Sequence, residues 1–119
     1  MWRDDACLLD MLIAARKVRT FTAGVTLDHF LHDELMQHGI MRLIEILGEA
    51  ARHLSDDFKV RHPEIPWRQI IGMRNRMVHE YFRVIPAKVW EVVEQEIPSL
   101  IAQLEPLVPP AGEEGSPTS

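Results

Sequence analysis

With 119 residues and a mass of 13.7 kDa, the chain has room for one domain, and at that size folding buries about two thirds of the unfolded surface, enough for a core without metal or disulfides. Its 46% hydrophobic and 26% charged residues exclude a disordered or fibrous polymer. The longest unbroken apolar run, Met11 to Ala15, falls far short of the roughly twenty residues that a membrane helix needs. Asp4, Asp5 and Asp10 interrupt any signal-like stretch near the N-terminus, so no secretory signal is expected. The single cysteine, Cys7, permits neither an internal disulfide nor a cysteine-built zinc site. It suits a reducing cytoplasm, and with only Arg3 as a basic neighbour it is not expected to be a nucleophile.

The net charge of -5 opposes general adhesion to nucleic acid, but the average hides a reversal. Between residues 59 and 83, six bases (Lys59, Arg61, Arg68, Arg74, Arg76, Arg83) face only Glu64 and Glu80, a local charge of +4. From Val84 onward Lys88 stands against six glutamates. A basic segment in an acidic chain either draws a phosphate polymer to one place or is simply a solvated helix face.

In chain order, the periodicity predicts about five helices and no strand. The first runs from about Asp4 to Phe21 with Leu8, Met11, Leu12, Ala15 and Val18 on one stripe, closed by Thr22, Ala23 and Gly24. Thr26 can cap a short second helix carrying Leu27, Phe30, Leu31 and Leu35, and Gly39 marks a bend. The third has the clearest period: Ile40, Leu43, Ile44, Leu47, Ala50, Ala51 and Leu54. His62 to Pro66 is not helical, and Pro66 opens a fourth helix from Trp67 to near Tyr81. Pro86 opens a fifth, with Val89, Trp90, Val93, Ile97, Leu100, Ile101 and Leu104 buried and a kink or break expected at Pro98. These elements form one helical domain over residues 1–105. Residues 106–119, rich in Pro, Gly, Ser and Glu, read as a disordered tail.

The fourth helix carries the chemistry. Trp67, Ile70, Ile71, Arg74, Met77, Val78 and Tyr81 share one face about 120° wide, which sets a guanidinium and a phenol in an apolar stripe. Arg74 therefore needs an acid, such as Glu49 or Glu45, or an opening. Glu49 stands either at the edge of its own helix's stripe or as that arginine's partner. His79 lies one turn above Asn75, where the two can hydrogen-bond, but about 140° from Arg74. Convergence of Arg74 and His79 requires a distorted helix or a second copy of it. Taken alone, these residues also fit a structural role: a histidine favourable at a helix C-terminus, a paired arginine and a core tyrosine. His29, His32 and Asp33, with His38 nearby, have a metal-compatible spacing, but no second helix offers a complementary set, and no metal site is expected. The six methionines read as core or interface filler.

Arg-x4-His-x-Tyr, as Arg74, His79 and Tyr81, resembles the signature of HepT-like toxins in the HEPN superfamily of helical ribonucleases. Gly48-Glu49-Ala50-Ala51, His62-Pro63-Glu64-Ile65-Pro66-Trp67, Ile71-Gly72-Met73-Arg74-Asn75, and Val89-Trp90 followed by Ile97-Pro98 extend the likeness from about Leu8 to Leu104. Glu80 departs from it, where the family commonly has glycine.

The resemblance implies an all-α HEPN-type bundle acting as a homodimeric RNA endonuclease without cofactor or metal. It implies attack of the ribose 2'-hydroxyl on the neighbouring phosphorus, in a cleft between two protomers. It implies Arg74, Asn75 and His79 as catalytic residues; Arg76 and Arg83 are candidates for steering RNA phosphates, with a plain surface placement equally open for each. It further implies a toxin–antitoxin pair in the cytoplasm, in which a minimal nucleotidyltransferase silences the toxin by transferring AMP from ATP to Tyr81. The residue chemistry agrees: histidine's ordinary pKa suits proton transfer near neutral pH, and arginine's paired donors suit a phosphorane. The competing readings are a non-catalytic interaction module and a subunit that presents substrate to the nucleotidyltransferase.

Overall fold

A computed structural model of the chain describes residues 2–109, which are helical throughout with no strand. The elements are α1 (Trp2–Thr22), α2 (Leu27–Leu31), α3 (Glu34–His53), α4 (Asp56–Arg61), α5 (Trp67–His79), a 3-10 turn (Tyr81–Arg83), α6 (Pro86–Glu91), a π-helical turn (Val92–Glu96), α7 (Ile97–Leu104) and a final 3-10 turn (Glu105–Leu107). Of the expected tail, Leu107 and Val108 pack partly buried on the core, and residues 110–119 lie outside the described residues.

Local chemistry explains most boundaries. Gly24, at φ +75°, lets the chain leave α1 through a conformation that a side chain would oppose. Thr26 caps α2 as expected, its hydroxyl accepting from the His29 amide at 3.1 Å. Asp33 caps α3 in the same way, accepting from the Met36 amide at 3.0 Å. That cap ends α2 at Leu31, so Leu35 belongs to α3, where it is exposed. Gly39 does not bend the chain, because α3 runs through it. An unforeseen helix, α4, is capped by Ser55, whose Oγ accepts from the Phe58 amide and donates to Asp4 of α1 at 2.7 Å. At Pro98 the chain does not break. The π turn widens the helix just before it, and the Ile97 amide reaches back five residues to the Val92 carbonyl. Such a turn relieves the clash and lost hydrogen bond of an interior proline.

α3 is the central element, with α1 packed on one side and α5 on another, while α7 closes against α1 and α2 rests on α6. The stripes read from the sequence form the core: Leu8, Met11, Ala15 and Val18 of α1 meet Ile40, Ile44, Leu47 and Ala51 of α3, and Ile97, Leu100 and Leu104 of α7. Phe30 packs on Trp90 with ring centroids 5.0 Å apart.

Gly48 sets the approach of α5 to α3. A Cβ at this position would lie 2.3 Å from Arg74 Cβ and 3.1 Å from the Ile70 carbonyl oxygen. These obstacles are a backbone atom and the root of a side chain, which cannot swing aside. Gly48→Ala should therefore push the helices apart and cost about 1–3 kcal/mol. Thermal unfolding should show a fall of several degrees or more, with helix content retained below the transition.

Candidate active site

The crossing at Gly48 lays the Arg74 side chain across α3, where its Nε comes 2.9 Å from Glu49 Oε1. The Nε–H, although buried, is not aligned on that oxygen, so the contact is an ion pair without a hydrogen bond. Arg74 Nη1 donates to Asn75 Oδ1 at 2.9 Å. Glu49 is thus the partner of Arg74 and lies on the polar face of α3, not at the edge of its apolar stripe. It accepts from Arg52 Nε and Nη2 at 3.3 and 3.2 Å and sits 2.8 Å from His53 Nε2. These bonds, Arg52 first and His53 second, with the charges of Arg52 and Arg74 adding to them, hold the Glu49 carboxyl down at about 2 against partial burial.

Arg74 lines an open groove of about 490 Å³ between α1, α3 and α5. Arg3 and Asp10 face it from α1, Arg42 and Glu45 from α3, and Val78 from α5. Asn75 and His79 lie exposed on α5. The Asn75 oxygen serves Arg74, and no hydrogen bond joins Asn75 to His79 among the described residues. Arg74 and His79 likewise share no contact within one chain, as the helix geometry predicts.

Tyr81 departs from its expected place. α5 ends at His79, Glu80 turns the chain at φ -134°, and Tyr81 opens a separate 3-10 turn. The break carries the phenol over α3, where its hydroxyl lies 2.5 Å from His38 Nδ1 and its ring runs nearly parallel to the imidazole. Burial, with the charge of Glu45 adding to it, pushes the Tyr81 pKa above its ordinary value. Glu45, whose charge acts on the phenol, also lines the groove, whereas Tyr81 itself is not one of the groove's lining residues. The same turn leaves Phe82 91% exposed beside the exposed Arg83. Arg76 borders a second, smaller hollow with Lys88, and neither Arg76 nor Arg83 forms an ion pair with a described residue.

The sequence reading quoted Gly48 only as part of the family likeness, gave neither it nor Phe82 a role, and assigned His38 to a possible metal set. His29 pairs instead with Asp33 at 3.2 Å, and His32 Nδ1 contacts the Asp28 carbonyl. Among the described residues no three metal-ligating side chains converge. A usable signal did exist. Glu34, His38, Arg42, Glu45, Glu49 and His53 fall within an arc of about 100° on α3, opposite its apolar stripe.

The described residues form an all-helical bundle with Arg74 at a groove and His79 further along the same helix, and similarity to known proteins gives the family. The family described as Ribonuclease HepT-like matches residues 11–107. The "Probable ribonuclease HepT" of Thermococcus cleftensis is 39% identical over 100 residues, covering 84% of this chain and 91% of that protein. "Putative RNase MJ1380" of Methanocaldococcus jannaschii is 31% identical over 100 residues, covering 84% and 92%. "Putative RNase TTE0752" of Caldanaerobacter subterraneus is 35% identical over 85 residues, covering 71% and 76%. No solved structure matches the chain at a significant level. The chain belongs to the HepT-like ribonuclease family. No helix among the described residues is long and apolar enough to cross a membrane.

Glu49 binds its proton far less readily in the folded chain than in the unfolded one. Its contribution to stability is therefore complete above the ordinary carboxyl value of 4.5 and is lost as the pH falls from there toward 2. Solvent reaches the pair and screens it, so the loss is modest. Glu49→Gln should flatten the acid limb of a stability-against-pH curve measured by denaturant unfolding, while leaving the limb above pH 6 nearly parallel to the wild type.

Proposed function

We propose that the chain is the toxin of a toxin–antitoxin pair: a homodimeric, metal-independent RNA endonuclease of the cytoplasm, formed by one helical domain over residues 1–105. The reading is carried chiefly by Arg74, anchored by Glu49 at the edge of an open groove in a chain whose family is that of HepT-like ribonucleases. His79 takes the proton of the ribose 2'-hydroxyl as that oxygen attacks phosphorus. The proton then returns to the leaving 5'-oxygen, and a 2',3'-cyclic phosphate remains. Arg74 and Asn75 stabilise the charge that gathers on the equatorial oxygens. Anchoring on Glu49 fixes the guanidinium in advance, which removes the cost of ordering it during reaction.

Arg74 and His79 make no contact within one chain, so the working site draws Arg74 from one protomer and His79 from the other. Arg76 and Arg83 steer the RNA backbone, and exposed Phe82 offers a ring on which an unpaired base can stack. Arg74→Ala should lower cleavage by about 10²–10³-fold, and His79→Ala by about 10²–10⁴-fold, in EDTA, with cyclic phosphate or 3'-phosphate ends on the products. Mixing the two inactive variants should restore part of the activity, because a mixed dimer holds one site with both groups intact. Cleavage that needs added divalent metal, or that survives loss of His79, is incompatible with this mechanism. A wild type that binds but never cuts RNA would favour the interaction-module reading.

Control falls on Tyr81, which accepts AMP from a minimal nucleotidyltransferase antitoxin. Supporting this, the phenol is the chain's one tyrosine hydroxyl, and it feels the charge of Glu45, a residue that lines the groove. The added phosphodiester and base would occupy the RNA path and oppose its phosphates. Co-expression with the nucleotidyltransferase should raise the intact mass by one or more AMP units and abolish cleavage, and Tyr81→Phe should escape both effects.

A further inference from the structure

His38 is used neither by the nuclease mechanism nor by the core. Its Nδ1 meets the Tyr81 hydroxyl at 2.5 Å, while its Nε2 faces Glu34 Oε2, one helical turn earlier, at 3.6 Å. Carboxylate, imidazole and hydroxyl thus stand in a row, the order in which a base is aimed at an oxygen nucleophile. A neutral imidazole has one donor and one acceptor nitrogen. With its proton on Nε2, toward Glu34, the lone pair on Nδ1 points at the phenol. Burial and the neighbouring Glu45 both oppose phenolate formation, so Tyr81 does not react readily unless something takes its proton.

We propose that His38 is the general base that activates Tyr81 for nucleotidyl transfer, and that the nearby Glu34 carboxylate is a positioning residue whose charge favours the imidazolium formed as His38 takes the proton. The proposal rests on the reading of Tyr81 as the AMP acceptor. In the transfer, Tyr81 Oη bonds to the α-phosphorus of ATP and the bond from that phosphorus to the β-phosphate bridge oxygen breaks. Pyrophosphate leaves with the electron pair, and the phenol proton passes to His38 Nδ1. The acceptor chain thereby supplies its own base for that step.

The test uses the full chain alone and an aryl sulfonyl fluoride, in which phenol oxygen bonds to sulfur and fluoride leaves. Labelling of Tyr81 is followed by peptide mass spectrometry, with thermal unfolding as a check on the fold. His38→Gln retains hydrogen-bonding groups but no base, and His38→Ala opens space around the phenol. Both should slow Tyr81 labelling by about 10²-fold. Added imidazole should restore His38→Ala and not His38→Gln, and Glu34→Gln should slow labelling to a smaller degree. Undiminished labelling in folded His38→Gln would overturn the proposal and leave His38 as an anchor for the turn.

A second arm measures AMP addition on co-expression with the nucleotidyltransferase. Equal rates of addition in wild type and His38→Gln would also overturn it. If the wild type gains no AMP, the reading of Tyr81 as acceptor fails, while the labelling rates still decide whether His38 activates the phenol.

Discussion

The close crossing of α3 and α5 at Gly48 is the constraint on which the groove depends. Two helices separated by ordinary side chains keep their axes about 8–10 Å apart. A glycine removes the spacer and lets Arg74 root its side chain directly against the facing helix. From there the guanidinium reaches Glu49, the next residue along α3. An arginine in an apolar stripe would otherwise carry an uncompensated charge, and the energy of the packing would be spent on its desolvation. The glycine and the carboxylate together allow a cation to sit at the edge of a helical core.

Glu49 collects more positive charge than one arginine provides. Arg52, His53 and Arg74 all point at it, so α3 holds its own two basic neighbours and one from α5 with a single carboxylate. Arg74 keeps donors beyond the ion pair, one spent on Asn75. A guanidinium fixed on one edge and open on another is suited to a phosphate, because its fork is already oriented when the anion arrives. The polar stripe of α3 extends this logic along the helix, with Glu49 and His53 at one end and Glu34 and His38 beneath Tyr81 at the other.

The break after α5 has a comparable effect. Had the helix continued, Tyr81 would have remained on the stripe of Arg74, and the phenol would have been one more core contact. Glu80 ends the helix, and the 3-10 turn places Tyr81 over His38 while leaving Phe82 and Arg83 in solvent. One short turn thus separates the residue read as the site of control from the helix read as the site of cleavage. α3 joins them physically, since it carries Glu49, which holds Arg74, and His38, which meets the phenol.

Much of this was legible in the sequence. The apolar stripes of α1, α3 and α7, the Thr26 cap, the non-helical His62–Pro66 segment and the start of α5 follow from periodicity, capping chemistry and proline. Each of these acts within a few residues along one backbone. The motif carried by Arg74, Asn75, His79 and Tyr81 was legible as well, together with the family it resembles. The tertiary structure decided that Glu49 receives Arg74, that Asn75 serves Arg74 and not His79, that Gly48 is a contact point, and that His38 faces Tyr81 from 43 residues away. A helical pattern names the face on which a residue lies but not the residue opposite it. That pairing depends on where two helices cross and how closely, which here is set by the missing Cβ of Gly48.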